Sequence, residues 1–219
     1  MPTNGMTNGL LQRCCLVATS TWSDAMDGLG VAGVIQGLVL QSGSGRIAGP
    51  AVTVQESTGP LNEYPKEGFR VGAFIDILRD GDILVIEMDG AAVSSFGGLA
   101  AQATRRQGTA GVVINGGCRD LVDVRASGLW VMSRHVTPMS GKGRVRVDGV
   151  NVPITMGGVR VNPGDCIIGD ETGLVCVRAD QLLEVLTIAE GLHAQDQHFA
   201  KALSEGHTFG ATARRLKHF

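Results

Sequence analysis

Three charged side chains stand close together after an apolar run. Gly111-Val-Val-Ile-Asn-Gly-Gly-Cys118 leads directly into Arg119 and Asp120, and Asp123 follows three positions later. The run 111–115 reads as a buried strand, Gly116-Gly117 as a turn, and Cys118 to Ser127 as a short helix. Charges at the end of such a strand face a crevice. Asp120 and Asp123 share one face of that helix, a pairing that suits an octahedral Mg²⁺ or Mn²⁺ which keeps several of its waters. Arg119 adds a rigid fork of N–H donors, suited to a carboxylate or a developing enolate oxygen. On spacing alone, an ordinary helix start with acids complementing the dipole and Arg119 in a surface ion pair accounts for the run equally well.

Upstream lies Ser94-Ser95-Phe96-Gly97-Gly98-Leu99-Ala100. Here Ser94 or Ser95 is expected to cap a helix over 95–107, with the two glycines leaving its first amides open. The amides of Leu99 and Ala100, together with Arg119, suffice to hold the carboxylate of an α-keto acid. A plain capped helix explains the segment as well.

The elements that must position these groups are short. Runs at 46–55, 81–88, 111–115, 129–133, 165–170 and 174–178 are β-branched and bounded by Gly, Asp or Pro, and read as strands. Helical spacing marks 10–19, a second start at 24–33, 71–78 and 95–107, and residues 1–9, polar and rich in Gly and Asn, read as a loose arm. Strands alternating with helices imply a single α/β domain over 1–219. The last third is strand after strand, so a second, partly antiparallel or barrel-like layer is expected before a closing helix from Asp180 to about Glu205. Apolar residues cover more than one stripe of that helix, which places it on two surfaces, one of them in a neighbouring subunit.

Composition narrows the function classes. Of the 219 residues 43% are hydrophobic and 18% charged, enough to bury a core and too little charge for disorder, while 4% aromatics and 32 glycines leave Val, Ile, Leu and Ala to build it. A net charge of −2 without basic runs argues against direct nucleic-acid binding. Five cysteines without a pairing pattern fit a reduced, cytoplasmic setting. No stretch reaches the ~18 apolar residues of a membrane span, and no leader is evident.

Several motifs fall short. Gly28-Leu-Gly-Val-Ala-Gly33 matches a dinucleotide fingerprint, but helical rather than strand residues precede it. Ser140-Gly-Lys-Gly143 lacks the first glycine and the Ser/Thr of a phosphate loop. None of the histidines sits in a metal-binding frame, and Cys118 has no evident base, so it reads as a small buried thiol.

The strand-Gly-Gly-x-Arg-Asp-x-x-acid run, followed by Asn151-Val-Pro and Val161-Asn-Pro-Gly-Asp165, resembles the class II pyruvate aldolases related to regulator of ribonuclease activity A. That family contains 4-hydroxy-4-methyl-2-oxoglutarate aldolase. One form of its motif carries an aspartate, twenty residues and Arg-Asp; the other begins with glycine and adds an acid after two more residues. Gly98, Arg119, Asp120 and Asp123 match the second form, with Asp123 supplying the carboxylate absent at Gly98. The resemblance implies a swivelling β/β/α core, trimers or hexamers with sites between subunits, and metal held by Asp120, Asp123 and Asp196, the last on a neighbouring subunit's C-terminal helix. Gly97, Gly98, Leu99, Ala100, Arg119 and Arg144 would bind substrate, with Lys142 as the alternative base. His193 shares the face of Asp196.

The activity so implied is metal-dependent cleavage of a 4-hydroxy-2-oxo acid to pyruvate, with oxaloacetate decarboxylation through the same enolate. The competing reading is a non-enzymatic regulator that binds ribonuclease E or its helicases. Asp123 favours the enzyme, because a regulator has no use for a second carboxylate beside Asp120. A different keto acid on the same scaffold is a third possibility.

Overall fold

Ile83–Glu87 and Gly111–Cys118 bury every one of their residues, as strands covered on both faces do. They sit at the centre of the computed structural model, which describes residues 6–216. The strands are Val34–Ile35 (β1), Val39–Ser42 (β2), Ile47–Thr58 (β3), Ile83–Glu87 (β4), Ser94–Phe96 (β5), Gly111–Cys118 (β6), Val131–Val136 (β7), Val145–Val150 (β8), Ile154–Met156 (β9), Val159–Val161 (β10), Cys166–Gly169 (β11) and Leu174–Val177 (β12). The helices are Asn8–Leu16 (α1), Thr19–Gly28 (α2), Val71–Ile75 (α3), Gly98–Arg106 (α4), Leu121–Ala126 (α5), Leu182–Ser204 (α6) and Phe209–Leu216 (α7). This is the α/β class expected.

One mixed sheet runs β1-β12-β11-β3-β4-β6-β7-β2, with β5 beside β6 and β8 beside β3. The curl of that sheet centres on β3, which is long enough to serve two halves. Its residues 47–50 pair antiparallel with β11, residues 51–55 pair parallel with β4, and residues 54–58 pair antiparallel with β8. The parallel set β3-β4-β6-β7 is joined by α3, α4 and α5, which cover one face.

Alternation along β4 sorts the core. Leu84 and Ile86 join Phe96, Ala101, Ile114 and Val124 under those helices, while Ile83 and Val85 join Trp130, Ile154 and Met156 on the other face. A third cluster, with Trp22, Met26, Ile168, Val185 and Leu186, lies under α1, α2 and α6. Each fully buried Leu or Ile contributes roughly 1.5–3 kcal/mol.

The structure departs from or refines the sequence expectations in four places. Residues 6–9 are not a loose arm: Met6 is buried, Thr7 caps α1 through a bond from the Leu10 amide, and 1–5 lie outside the described residues. The second helix begins at Thr19 rather than Asp24, because Asp170 accepts from the Thr19 amide at 3.0 Å and from its hydroxyl at 2.7 Å. That cap comes from far along the chain and leaves no local signal. The strand-rich end is a second, antiparallel layer but not a detached sheet: β11 and β12 join the main sheet through β3 and fold back so that Ile167, Leu174 and Cys176 pack with Ile83 and Val85, β8 also pairs with β3, and only β9 and β10 form a two-stranded ribbon apart. Finally, Gly116-Gly117 is not a turn. Both glycines continue β6, where a Cβ at Gly116 would strike Met88 and one at Gly117 the Val93 carbonyl.

The closing helix α6 buries Leu182, Val185, Leu186 and Ala189 toward α2 and the third core cluster. Near its end it meets α7, where Phe199 packs on Phe209 with ring centroids 4.9 Å apart. Among the described residues no helix is long and apolar enough to cross a membrane.

Candidate active site

At the carboxyl end of β6 the chain turns sharply, and Asp120 makes that turn with φ 55° and ψ 44°. Left-handed backbone is uncommon for a residue with a Cβ and costs about 1 kcal/mol or more, though Asp tolerates it better than most. The turn sets Arg119 and Asp120 on the rim of a pocket of about 220 Å³. Their side chains are 37% and 43% exposed, and Arg119 Nε stands 3.4 Å from Asp120 Oδ2. The same carboxylate oxygen accepts a long 3.4 Å bond from the Gly98 amide. These contacts are loose enough for both groups to be recruited by a ligand.

The opposite wall is the start of α4. The sequence expectation of a serine cap is corrected here: Ser94 and Ser95 lie in β5, and Gly97 occupies the N-cap position without a side-chain bond. Ser94 Oγ donates instead to the Phe96 carbonyl at 2.9 Å. The first-turn amides of Leu99 and Ala100 lack intrahelical acceptors, as at any helix start, and both residues line the pocket.

Close approach explains the two glycines. A Cβ on Gly97 would fall 2.7 Å from Asp120 Oδ2 and 3.1 Å from Arg119 Cγ. One on Gly98 would fall 2.6 Å from the Asp123 Cβ and 3.1 Å from its Oδ2. The space that a side chain at position 98 would fill is thus taken by Asp123, and Arg119, Asp120 and Asp123 all abut one glycine pair. Asp120 is the N-cap of α5 rather than a member of its first turn, so the two carboxylates are placed against the glycine pair by this packing and not by helical spacing alone.

The remaining expected residues fall differently. Lys142 lines the pocket, whereas Arg144 turns its Nη1 to the Ser140 carbonyl at 3.1 Å. Asp196 is exposed on α6, a helix that packs on α2 and α7 rather than on α4 or α5, so one chain does not bring it to Asp120. His193 pairs with Gln197 on the same helix. Among the described residues there is no group of three His, Cys, Asp or Glu side chains placed to hold an ion. Two exposed carboxylates from one chain suit a cation that retains most of its waters, as magnesium does.

The set-aside motifs keep their plain explanations. Gly28–Gly33 closes α2 and packs against Met26 and the Cys176 carbonyl. Burial pushes the Cys118 thiol up to about 11, with Asp120 adding to it, so the thiol is inert at neutral pH.

Sequence reasoning missed several buried polar groups. Asn115 donates to both oxygens of Glu87 at 2.8 and 2.9 Å and accepts from Arg134 Nε at 2.6 Å, tying together the ends of β4, β6 and β7. Glu87 faces a larger polar cavity of about 560 Å³ across the sheet. Its charge is already met by Asn115 and the Asp89 amide. Phe69 and Val71 furnish the apolar wall of the smaller pocket.

A curled mixed sheet covered by helices, with an Arg-Asp turn facing a glycine-opened helix start, defines an α/β protein with its candidate pocket at a strand end. The family model described as RraA-like, Aldolase/RraA, matches residues 19–176, and the chain belongs to that family. It is 29% identical over 191 residues to a putative 4-hydroxy-4-methyl-2-oxoglutarate aldolase of Halalkalibacterium halodurans, covering 86% of each chain. It is 27% identical over 200 residues to protein DlpA of Legionella pneumophila, and covers 91% of this chain but only 32% of that protein. Among solved structures, Streptomyces coelicolor RraAS2, described as an unusual member of the RNase ES inhibitor RraA protein family, superposes with a TM-score of 0.79 at 25% identity. That match covers 90% of this chain and 97% of the other.

Proposed function

We propose that this protein is a divalent-metal-dependent lyase that cleaves a 4-hydroxy-2-oxo acid of the 4-hydroxy-4-methyl-2-oxoglutarate type to pyruvate, and that decarboxylates oxaloacetate as a side reaction. The observation that carries this is the exchange of space between Gly98 and Asp123: a carboxylate stands against Gly98, whose amide reaches Asp120 Oδ2, although position 98 has none of its own. A surface ion pair needs no such second acid.

Arg119 and the amides of Leu99 and Ala100 hold the substrate carboxylate, with Lys142 closing the far side. Phe69 and Val71 exclude water from the apolar part of the substrate. Asp120 and Asp123 would hold Mg²⁺ or Mn²⁺ largely through its waters, and the ion would supply positive charge where the enolate oxygen develops. The two carboxylates would order water beside the substrate, and with it the protons that must be taken from the 4-hydroxyl and returned to the enolate carbon. Charge stabilisation of this kind accounts for several kcal/mol of barrier.

The exposed Asp196 fits a role across a subunit boundary, in a cytoplasmic homotrimer or hexamer whose sites lie between chains. A pyruvate-release assay with oxaloacetate and 4-hydroxy-4-methyl-2-oxoglutarate, with and without Mg²⁺, tests the reading. The likeness to RraAS2 favours a second one, a regulator binding ribonuclease E, and failure to release pyruvate from either acid would leave that reading standing.

A further inference from the structure

One carboxyl that the chemistry above does not use touches both cavities: Glu56 lines the larger one and meets Ser95, which belongs to the wall of the smaller. Glu56 sits where β3 bulges against β8. Its register partner is Val147, which packs on the helix-covered face with Val54 and Phe96, so Glu56 is turned to that face as well. It is 2% exposed, and among the described residues neither carboxyl oxygen has a hydrogen-bond partner of good geometry. The hydroxyl of Ser95 acts on it, is equally buried and is likewise without a well-formed bond. Ser95 also belongs to the wall of the Arg119 pocket.

Two orphaned polar groups in a core are costly, and in a native protein each has a reason. A neutral carboxyl and a hydroxyl side by side satisfy one another with a small rotation. An ionised carboxyl there has one weak donor and no cation.

We propose that Glu56 and Ser95 are positioning residues of the keto-acid pocket: protonated Glu56 donates to Ser95 Oγ and seats β5, which delivers Gly97–Ala100, and loss of that proton weakens anion binding. This rests on the keto-acid reading of the pocket. The step is a proton exchange with solvent alone; no bond to carbon forms or breaks.

The surroundings support a proton held near neutrality. Burial pushes Glu56 up to about 7, the Ser95 hydroxyl pulling it down and Asp148 of β8 pushing it further up. Asp148 is itself engaged by Arg146 at 2.6 Å and by the Ser57 hydroxyl. From β4 the nearby acid, Glu87, is spent on Asn115 across the sheet. Ionised Glu56 therefore places an uncompensated negative charge beside a pocket whose own charges are Arg119, Asp120 and Lys142. A buried charge is poorly screened, and at this range it weakens a bound anion roughly tenfold.

Calorimetric titration with oxalate, a stable mimic of the pyruvate enolate, in the presence of Mg²⁺ tests the proposal on wild type, Glu56→Gln and Ser95→Ala. Wild-type affinity should fall roughly tenfold as pH rises through neutrality, while Glu56→Gln, which keeps a donor and cannot ionise, holds the low-pH affinity throughout. Ser95→Ala should bind more weakly at low pH and show a smaller fall, since the hydroxyl through which the protonated carboxyl seats β5 is gone. Oxalate binding with one and the same pH profile in all three proteins overturns the assignment and leaves the keto-acid site intact. No oxalate binding at any pH overturns both.

Discussion

Glu56→Gln should make the protein more stable in base, by an amount that the burial of Glu56 sets. An ordinary glutamate at 4.5 is pushed in the fold to about 7, chiefly by burial. That gap, at about 1.4 kcal/mol per pH unit, makes ionised Glu56 cost the folded state about 3 kcal/mol. The sign follows from proton binding. Between the two values the folded chain holds the proton more tightly than the unfolded chain, so stability is greatest below the unfolded value and falls as pH rises toward the folded one. From about pH 5 to about pH 8.5, wild type should lose about 2.5 kcal/mol more than Glu56→Gln. Asp82 and Glu87, also raised by burial, are common to both proteins and cancel in the difference. Urea unfolding at fixed protomer concentration, compared at the two pH values, measures it. Parallel curves for the two proteins, with a constant gap at both pH values, would refute the burial argument, and no change in oligomer or metal content would rescue it.

The other expectations concern the site. Gly98→Asp alone should lower stability, since its Cβ would meet that of Asp123 at 2.6 Å; in an Asp123→Gly background, which removes that Cβ, the same change should be tolerated and should restore part of the lost metal-dependent pyruvate release, read in one Mg²⁺ titration. Asp120→Gly should abolish turnover yet leave stability equal or higher by up to about 1 kcal/mol, because glycine relieves the left-handed backbone; a Tm that falls by several degrees argues that Asp120 is structural. Light scattering at micromolar protomer should give a mass of at least three chains, and a monomer would contradict a site completed by Asp196 of another subunit.

Much of the fold was legible because strand and helix signals are local. β4, β11 and β12 fall within the β-branched runs, β3 and β6 begin in them and continue past their ends, and α3, α4, α5 and α6 fall within the helical spacings, because side-chain type and period report how a short segment meets a core. The pieces misread or only partly read share one cause. The start of α2 is fixed by Asp170, the Gly116-Gly117 pair by Met88 and the Val93 carbonyl, and the strand-rich end by the length of β3. Each answers to a partner distant in sequence.

The candidate site divides along the same line. By itself the sequence determined that a buried strand leads toward Arg119, that two acids follow that arginine, and the spacing from Gly98 to Arg119, Asp120 and Asp123. Only the tertiary structure decided that Asp123 fills the space beside Gly98, that Lys142 rather than Arg144 reaches the pocket, and that Glu56 lies buried against Ser95. Spacing constrains neighbours within a turn or two of helix or strand, whereas these contacts depend on the path of loops and the curl of a sheet, which pack residues that the chain keeps far apart.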